Sequence, residues 1–199
     1  MKKRISCVLI LLAATAFVYG QVAVKTNILY DATTTPNLGI EIGIGSKSTA
    51  QLFYGLNAWS FDSKTHGERK AKHWLLMPEY RWWPCSKFNG HFFGVHLMGG
   101  QFNAANVDLP IPGKFFSGDN IRSEVRNHRY EGDYAGLGLT YGYQWILSRH
   151  WNIEAEIGVG YDHVWFDKYE CGECGGKLSD GTTNYLGVTK IGLVFLYIF

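Results

Sequence analysis

Residues 151–161 read WNIEAEIGVGY, and every second one is apolar: Trp151, Ile153, Ala155, Ile157, Val159 and Tyr161. The alternate set, Asn152, Glu154, Glu156, Gly158 and Gly160, is polar or carries no side chain. A period of two sends successive side chains to opposite faces, the geometry of a strand and not of a helix. Residues 135–147 repeat the division, with Leu137, Leu139, Tyr141, Tyr143 and Trp145 opposed to Gly136, Gly138, Thr140, Gly142 and Gln144. So do residues 38–45, where Leu38, Ile40, Ile42 and Ile44 oppose Gly39, Glu41, Gly43 and Gly45.

Followed along the chain, the alternation predicts eight strands near 22–32, 38–46, 51–61, 74–84, 91–104, 132–147, 151–168 and 185–199. Tight connections near 46–48, 86–90 and 148–150 alternate with long ones at 62–73, 105–131 and 169–184, while 33–37 is shorter. An even number of antiparallel strands joined this way is the pattern of barrels that cross a membrane as strands. The expected fold class is therefore all-β, an eight-stranded antiparallel up-and-down transmembrane β-barrel.

The two faces say which way it is turned. The apolar face is the bulkier one, and eight strands enclose only enough room for side chains. The face of glycines and charges fits that interior. The bulky face then points outward, which lipid tolerates and water does not. The seven tryptophans agree with this layout. Trp59, Trp74 and Trp165 fall near one set of strand ends, and Trp82, Trp83, Trp145 and Trp151 near the other. A strand rising ~3.3 Å per residue and tilted ~40° climbs roughly 23 Å from Trp74 to Trp83, close to the ~25 Å apolar band of such barrels.

The N-terminus gives a destination. MKKRISCVLILLAATAFVYG, residues 1–20, has a basic start, an apolar run from Ile5 to about Val18 and small residues at Val18 and Gly20. It reads as a signal peptide cleaved before Gln21, leaving a mature domain over 21–199. The apolar run is shorter than the roughly 20 residues of a spanning helix. Without Lys2, Lys3 and Arg4 the chain has 16 basic residues against 17 acidic, so no basic surplus invites a nucleic acid. The expected location is the outer membrane of a Gram-negative bacterium, among outer-membrane lipid and lipopolysaccharide. The tail Lys190-x-Gly192-x-x-Phe195-x-Tyr197, ending on Phe199, looks like the signal read by the barrel assembly machinery.

An inward small face would bury Lys25, Arg81 and Lys190 together with Glu41, Glu79, Glu154 and Glu156. In a closed barrel the first and last strands are neighbours, which brings Glu154 and Glu156 within reach of Lys190 and, across it, Lys25. Pairing is close to obligatory, since each unpaired buried charge costs several kcal/mol. Such a network serves either as a polar plug that holds the register or as a gated or proton-carrying pore.

Cys171 and Cys174, in YECGECGG, fall in the last long loop, and Cys85 falls at a tight turn. Opposite rims of a ~25 Å band are too far apart for Cys85 to bond either one, since a disulfide needs Cα atoms within ~7 Å. The same separation rules out a three-cysteine zinc site. Cys171–Cys174 is expected to form a local disulfide staple or a redox pair, and Cys85 a free thiol or an intermolecular link.

No catalytic motif stands out, and no catalytic residue, metal or cofactor is expected. None of the seven histidines is followed two places on by serine, the pairing of one lipid A deacylase type. His163 faces outward but has no serine beside it. A lipid A-modifying enzyme is the alternative to a non-catalytic surface or structural role. The loop DSKTHGERKAKH, 62–73, gathers Lys64, Arg69, Lys70 and Lys72, which suit either lipopolysaccharide phosphates or plain solvation. The loop 105–131, with Phe115, Phe116, Arg122, Arg126 and Arg129, is long for a connector and is the expected seat of a surface partner.

The stretches VKTNILYDATTTPNLGIEIGIG, HWLLMPEYRWWPCSKFNGHFFGVH, YGYQWILSRHWNIEAEIGVGYDHVWFDKYECGECG and NYLGVTKIGL carry a resemblance over nearly the whole mature chain. They are similar to a family catalogued as a domain of unknown function, number 3575, of small exported proteins of anaerobic Gram-negative bacteria. Its members are sometimes encoded near fimbrial genes. The resemblance implies an outer-membrane barrel. It implies no activity, catalytic residue or cofactor. The function expected here is a non-catalytic surface or structural role, with a surface appendage subunit engaged through the long loops as the partner.

Overall fold

The computed structural model describes residues 21–63, 67–105, 113–116, 128–170 and 175–199. Residues 1–20, expected to be a signal peptide, and the pair Cys171 and Cys174 lie outside them. The strands are β1 (Val22–Asn27), β2 (Asn37–Gly43), β3 (Ser48–Asn57), β4 (Ser60–Ser63), β5 (Gly67–Trp82), β6 (Gly90–Ala105), β7 (Gly113–Phe115), β8 (His128–Ile146), β9 (Trp151–Glu170) and β10 (Lys177–Ile198). A short helix, α1 (Ile28–Ala32), follows β1.

Antiparallel pairing runs β1-β2-β3-β5-β6-β8-β9-β10, and β10 pairs back onto β1, so eight strands close into a ring. The two remaining strands are appendages: β4 extends β5, and β7 lies against β10 at Tyr185–Gly187. Partners followed round the ring from Ile198 run through Ala23, Glu41, Gln51, Glu79, His96, Gly138 and Gly160. They return to β10 at Gly187, eleven residues from the start (198 to 187). At ~3.3 Å per residue along a strand and ~4.8 Å between strands, that stagger tilts the strands by about 43°.

Outward positions carry the large apolar side chains. Leu139, Leu137, Val159, Ile157, Val95 and Leu97 are each about half exposed or more, with Leu139 at 63%. On β5 from Trp74 to Trp82, on β8 from Leu137 to Trp145 and on β9 from Trp151 to Tyr161, no outward position holds a charge. At the rim of tight turns the aromatics form a chain of contacts. Trp82 meets Phe93, Phe93 meets Tyr141, and Trp151 stacks on Phe195 at 4.8 Å and meets Tyr197. From Trp74 to Trp82 a strand at this tilt climbs roughly 20 Å, and from Trp165 to Trp151 roughly 34 Å, which brackets the ~25 Å expected.

Three expectations need correction. Residues 28–32 are not the end of the first strand. Asn27 caps α1, its side chain accepting from Leu29 N, and Asp31 in the first turn accepts from Thr26 Oγ1 at 2.7 Å. Trp83 does not join the outer aromatics: it is fully buried, as alternation demands of a residue next to outward Trp82, and donates to Thr49 Oγ1 at 3.0 Å. The strands also run past their expected ends at the loop rim. The segments 67–73, 128–131, 169–170 and 177–184 are paired strand, because backbone ladders form there whatever the polarity of the side chains.

The interior is layered. Near the tight turns Ala23, Val194 and Leu196 pack on Phe88, whose ring also approaches Trp83 at 6.0 Å. Phe88 sits at φ 61, a costly conformation for a residue with a bulky side chain, and Asn152 Nδ2 holds its carbonyl at 3.0 Å. The turn is thus folded back to stop that end of the ring. Next comes a layer of charged side chains. Beyond it lie Phe53, Leu75 and Met77 with Tyr30, Met98 and Tyr134, and then Ala104 and Tyr130 with Phe102 and Phe166.

Candidate functional site

The period of two that turns Leu139 outward turns Lys25, Glu41, Glu79, Arg81, Glu154, Glu156 and Lys190 inward, and all seven are buried. Arg81, on β5, stands at their centre. Its Nη1 donates to Glu41 Oε2 at 3.2 Å and to the two oxygens of Glu154 at 2.9 and 3.1 Å. Its Nη2 donates to Glu79 at 3.2 Å and Glu156 at 2.8 Å. One guanidinium therefore serves four carboxylates from three elements, a role its planar fork of donors suits and a lysine's point charge does not.

Two lysines complete the layer. Lys25 pairs with Glu41 and, at 2.9 Å, with Glu154. Lys190 pairs with Glu79 and, at 2.8 Å, with Glu156. Glu154 is thus shared by Lys25 and Arg81, whereas Lys190 reaches across to β5 for its second partner. The layer holds four carboxylates and three cations, and Thr49 donates to Glu41 and Gln51 to Glu79 around its edge.

Glycines and rings make room for it. A Cβ at Gly94 would collide with the Glu79 carboxylate, and one at Gly142 with the Phe92 ring. Phe92 in turn lies under Arg81, whose Cζ is 4.4 Å from the ring centroid. His96, fully buried above the layer, is held between Thr140 Oγ1 at 2.8 Å and Thr189 Oγ1 at 2.9 Å. Sequence reasoning missed His96; its place in the inward set of β6 was the available signal.

The seam between β1 and β10 depends on Asn27. Where β1 turns into α1 its backbone leaves the ladder, and the Asn27 side chain takes over. Its Nδ2 donates to Ile191 O at 3.0 Å while its Oδ1 accepts from Leu193 N at 3.3 Å. Asn37 locks the other side, accepting from Asn27 N at 2.7 Å and donating to Asn27 O at 3.2 Å.

The remaining expected features are scattered. Of the tail positions, Lys190 and Gly192 face inward and buried, while Phe195 and Tyr197 join the aromatic rim and Phe199 is 72% exposed. Cys85 is a free, exposed thiol at the tight-turn rim. His163 Nδ1 meets Asn184 Oδ1 at 2.6 Å and its ring abuts Trp165. In the long loops Phe115 packs on Tyr185 at 5.1 Å, Phe116 is exposed, and Arg129 lies over the Tyr169 ring. Arg122 and Arg126 lie outside the described residues, as does Lys64; Arg69 and Lys70 belong to β5. At the loop rim Lys177 Nζ lies 2.9 Å from Asp167 Oδ1 and 3.5 Å from Asp180 Oδ1, and the hydrogen bond to Asp167 raises the lysine's pKa. Among the described residues no group of three His, Cys, Asp or Glu is arranged to hold a metal ion.

A sheet closed on itself around a buried ion-pair layer makes this a small antiparallel β-barrel protein. The model of a family described as a protein of unknown function, DUF3575, matches residues 6–199. The chain belongs to that family. Neither the curated proteins nor the solved structures give a match.

Proposed function

We propose that the mature chain is an outer-membrane β-barrel with a non-catalytic surface or structural role, supporting a surface appendage through the long connections at its loop rim. The observation that carries the reading is the outward belt: large apolar side chains around the ring, about half exposed, uninterrupted by charge on β5, β8 and β9 between two aromatic rims. An apolar surface of that extent asks for a non-aqueous neighbour. Closure of the sheet satisfies the backbone groups a bilayer cannot.

The interior supports a structural rather than a conducting role. Trp83, Phe88 and Phe92 fill the lumen at the tight-turn end, and the seven charges above them are engaged with one another. The test is fractionation of the processed chain with outer membranes, together with faster migration unheated than boiled on a detergent gel. Recovery as a water-soluble monomer free of amphiphile overturns the reading. Capture of an appendage subunit by the intact protein, with an unchanged lipid A mass spectrum in a strain lacking it, is the expected sign of the scaffold role.

A further inference from the structure

Between the ion-pair layer and the loop rim the ring holds a half-open cavity of about 580 Å³. Its size is that of a small-molecule pocket. Aromatic rings dominate its walls: Tyr30, Phe102, Tyr130, Tyr134, Phe166 and Tyr185. Into this apolar space the inward period of β9 places one carboxylate, Asp162.

Asp162 is 6% exposed, and its Oδ1 is buried without a hydrogen-bond partner. Its carboxylate forms no ion pair with a described residue. Lys190, which also borders the cavity, is committed to Glu79 and Glu156. On β5 His73, in register with Phe102, takes the inward place and its Nδ1 lies 3.0 Å from Ala71 O, while Lys72 beside it is in register with Asn103. The neighbours of Asp162 across the two ladders are Gly136 and Tyr185. Gly136 is what admits the carboxylate, since a Cβ there would collide with Oδ1. In the layer below, four carboxylates share three cations, whereas Asp162 has no ion-pair partner among the described residues.

A buried carboxylate without a counter-charge is costly, and buried polar groups are as a rule satisfied. Aromatic faces attract cations, and a ring-lined pocket with one anionic group is the usual recognition site of an ammonium. An acyl chain would leave the carboxylate unsatisfied, and an anion would be repelled by it. We infer that this cavity is a binding site for a small organic cation, an amine or quaternary ammonium on an apolar or aromatic body. Asp162 supplies the counter-charge, and Tyr134, Phe102 and Phe166 supply the walls.

The experiment uses the processed protein in a maltoside detergent at pH 8, titrated calorimetrically with phenethylammonium, with benzyltrimethylammonium and with the neutral isostere phenethyl alcohol. The cations are expected to bind at least tenfold tighter than the alcohol. In Asp162→Asn, checked for folding by its fast-migrating gel band, that preference falls to within about threefold. Equal affinity for alcohol and cations in the unmodified protein, or no binding of either, overturns the proposal without recourse to any variant. So does an unchanged preference in folded Asp162→Asn. Displacement of the probe by glycerophosphoethanolamine assigns the site to a lipid-headgroup amine, and failure to displace it to a free aromatic amine. Either outcome sustains the ammonium site.

Discussion

Arg81 and Glu154 lie three strands apart around the ring, and Arg81 Nη1 nonetheless stands 2.9 and 3.1 Å from both oxygens of that carboxylate. The contact spans the lumen, so it ties together strands that share no backbone hydrogen bond. Replacing Arg81 by Met keeps much of the side-chain volume but leaves Glu41, Glu79, Glu154 and Glu156 with only two lysines. Breaking a buried charge cluster from one side typically costs ~3–5 kcal/mol. Arg81→Met is expected to lower the temperature at which the folded gel band converts to the unfolded one. Arg81→Lys should restore only part of the loss, because an ammonium cannot fork between Glu154 and Glu156.

Lys190→Met tests the layer from its other side. The substitution removes one of the two ion-pair partners of Glu79 and Glu156, leaving Arg81 to serve both, and the same unfolding measurement should register a destabilisation in the same range, ~3–5 kcal/mol. Adding Glu156→Gln to it should recover part of the stability, because the double variant buries one uncompensated charge fewer. Additive losses would mean that the 2.8 Å pair carries no coupling energy.

The seam gives a third prediction. Asn27→Ala removes the cap of α1 and the two side-chain bonds that continue the β10 ladder at Ile191 and Leu193. Loss of an Asn cap costs ~0.5–2 kcal/mol, and the bridging bonds push the effect toward the upper end. Amide exchange should then accelerate at Leu193 before it does on β8 or β9. Uniform acceleration along the ring would show that the seam is no weaker than the rest.

How far these relationships were open to sequence reasoning differs from residue to residue. The inward set was legible because a strand's period of two needs no knowledge of its neighbours, and Lys25, Arg81 and Glu154 follow from it directly. So were two pairings, Lys25 with Glu154 and Lys190 with Glu156, from the adjacency of β1, β10 and β9 in a closed ring. The bonds that cross the lumen were not. Lys190 finds Glu79, on a strand far away in sequence, because an eleven-residue stagger brings β5 to the right height, and stagger is a property of the closed ring. Trp83 could have been placed, since two successive tryptophans on a strand cannot share a face. The short helix was also signalled, by Asn27 followed by an acidic residue in the first turn, but the apolar residues Ile28 and Leu29 extended the strand pattern and hid it. Asp162 fell within a predicted strand, yet its isolation appears only once every neighbouring strand is in place.

Gly138 separates crowding from mere flexibility. A Cβ there would lie 2.5 Å from His96 Nε2 and 2.7 Å from the Val159 carbonyl oxygen, and the carbonyl cannot step aside. Overpacking of this kind costs ~1–3 kcal/mol, so Gly138→Ala should destabilise the fold. At Gly99 the nearest atom would be the Tyr134 carbonyl oxygen at 3.5 Å, an ordinary contact. Gly99→Ala is expected to be neutral or slightly stabilising in the same unfolding assay.

The membrane reading makes its own demand on the outward face. Leu139 is 63% exposed and sits midway along β8, between Val95 and Val159, in the charge-free belt. Leu178, 49% exposed, lies near the start of β10 at the loop rim. If hydrocarbon surrounds the belt, Leu139→Arg should cost ~2–4 kcal/mol in lipid bilayers, whereas an arginine near the interface costs ~0–1 kcal/mol. Leu178→Arg should therefore be nearly silent. Water around the ring reverses the expectation at Leu139, because a charge replacing an exposed leucine would then leave stability unchanged and raise solubility. Unfolding of both variants in phospholipid vesicles measures the difference directly. Equal, small effects at the two positions would remove the hydrocarbon from the picture.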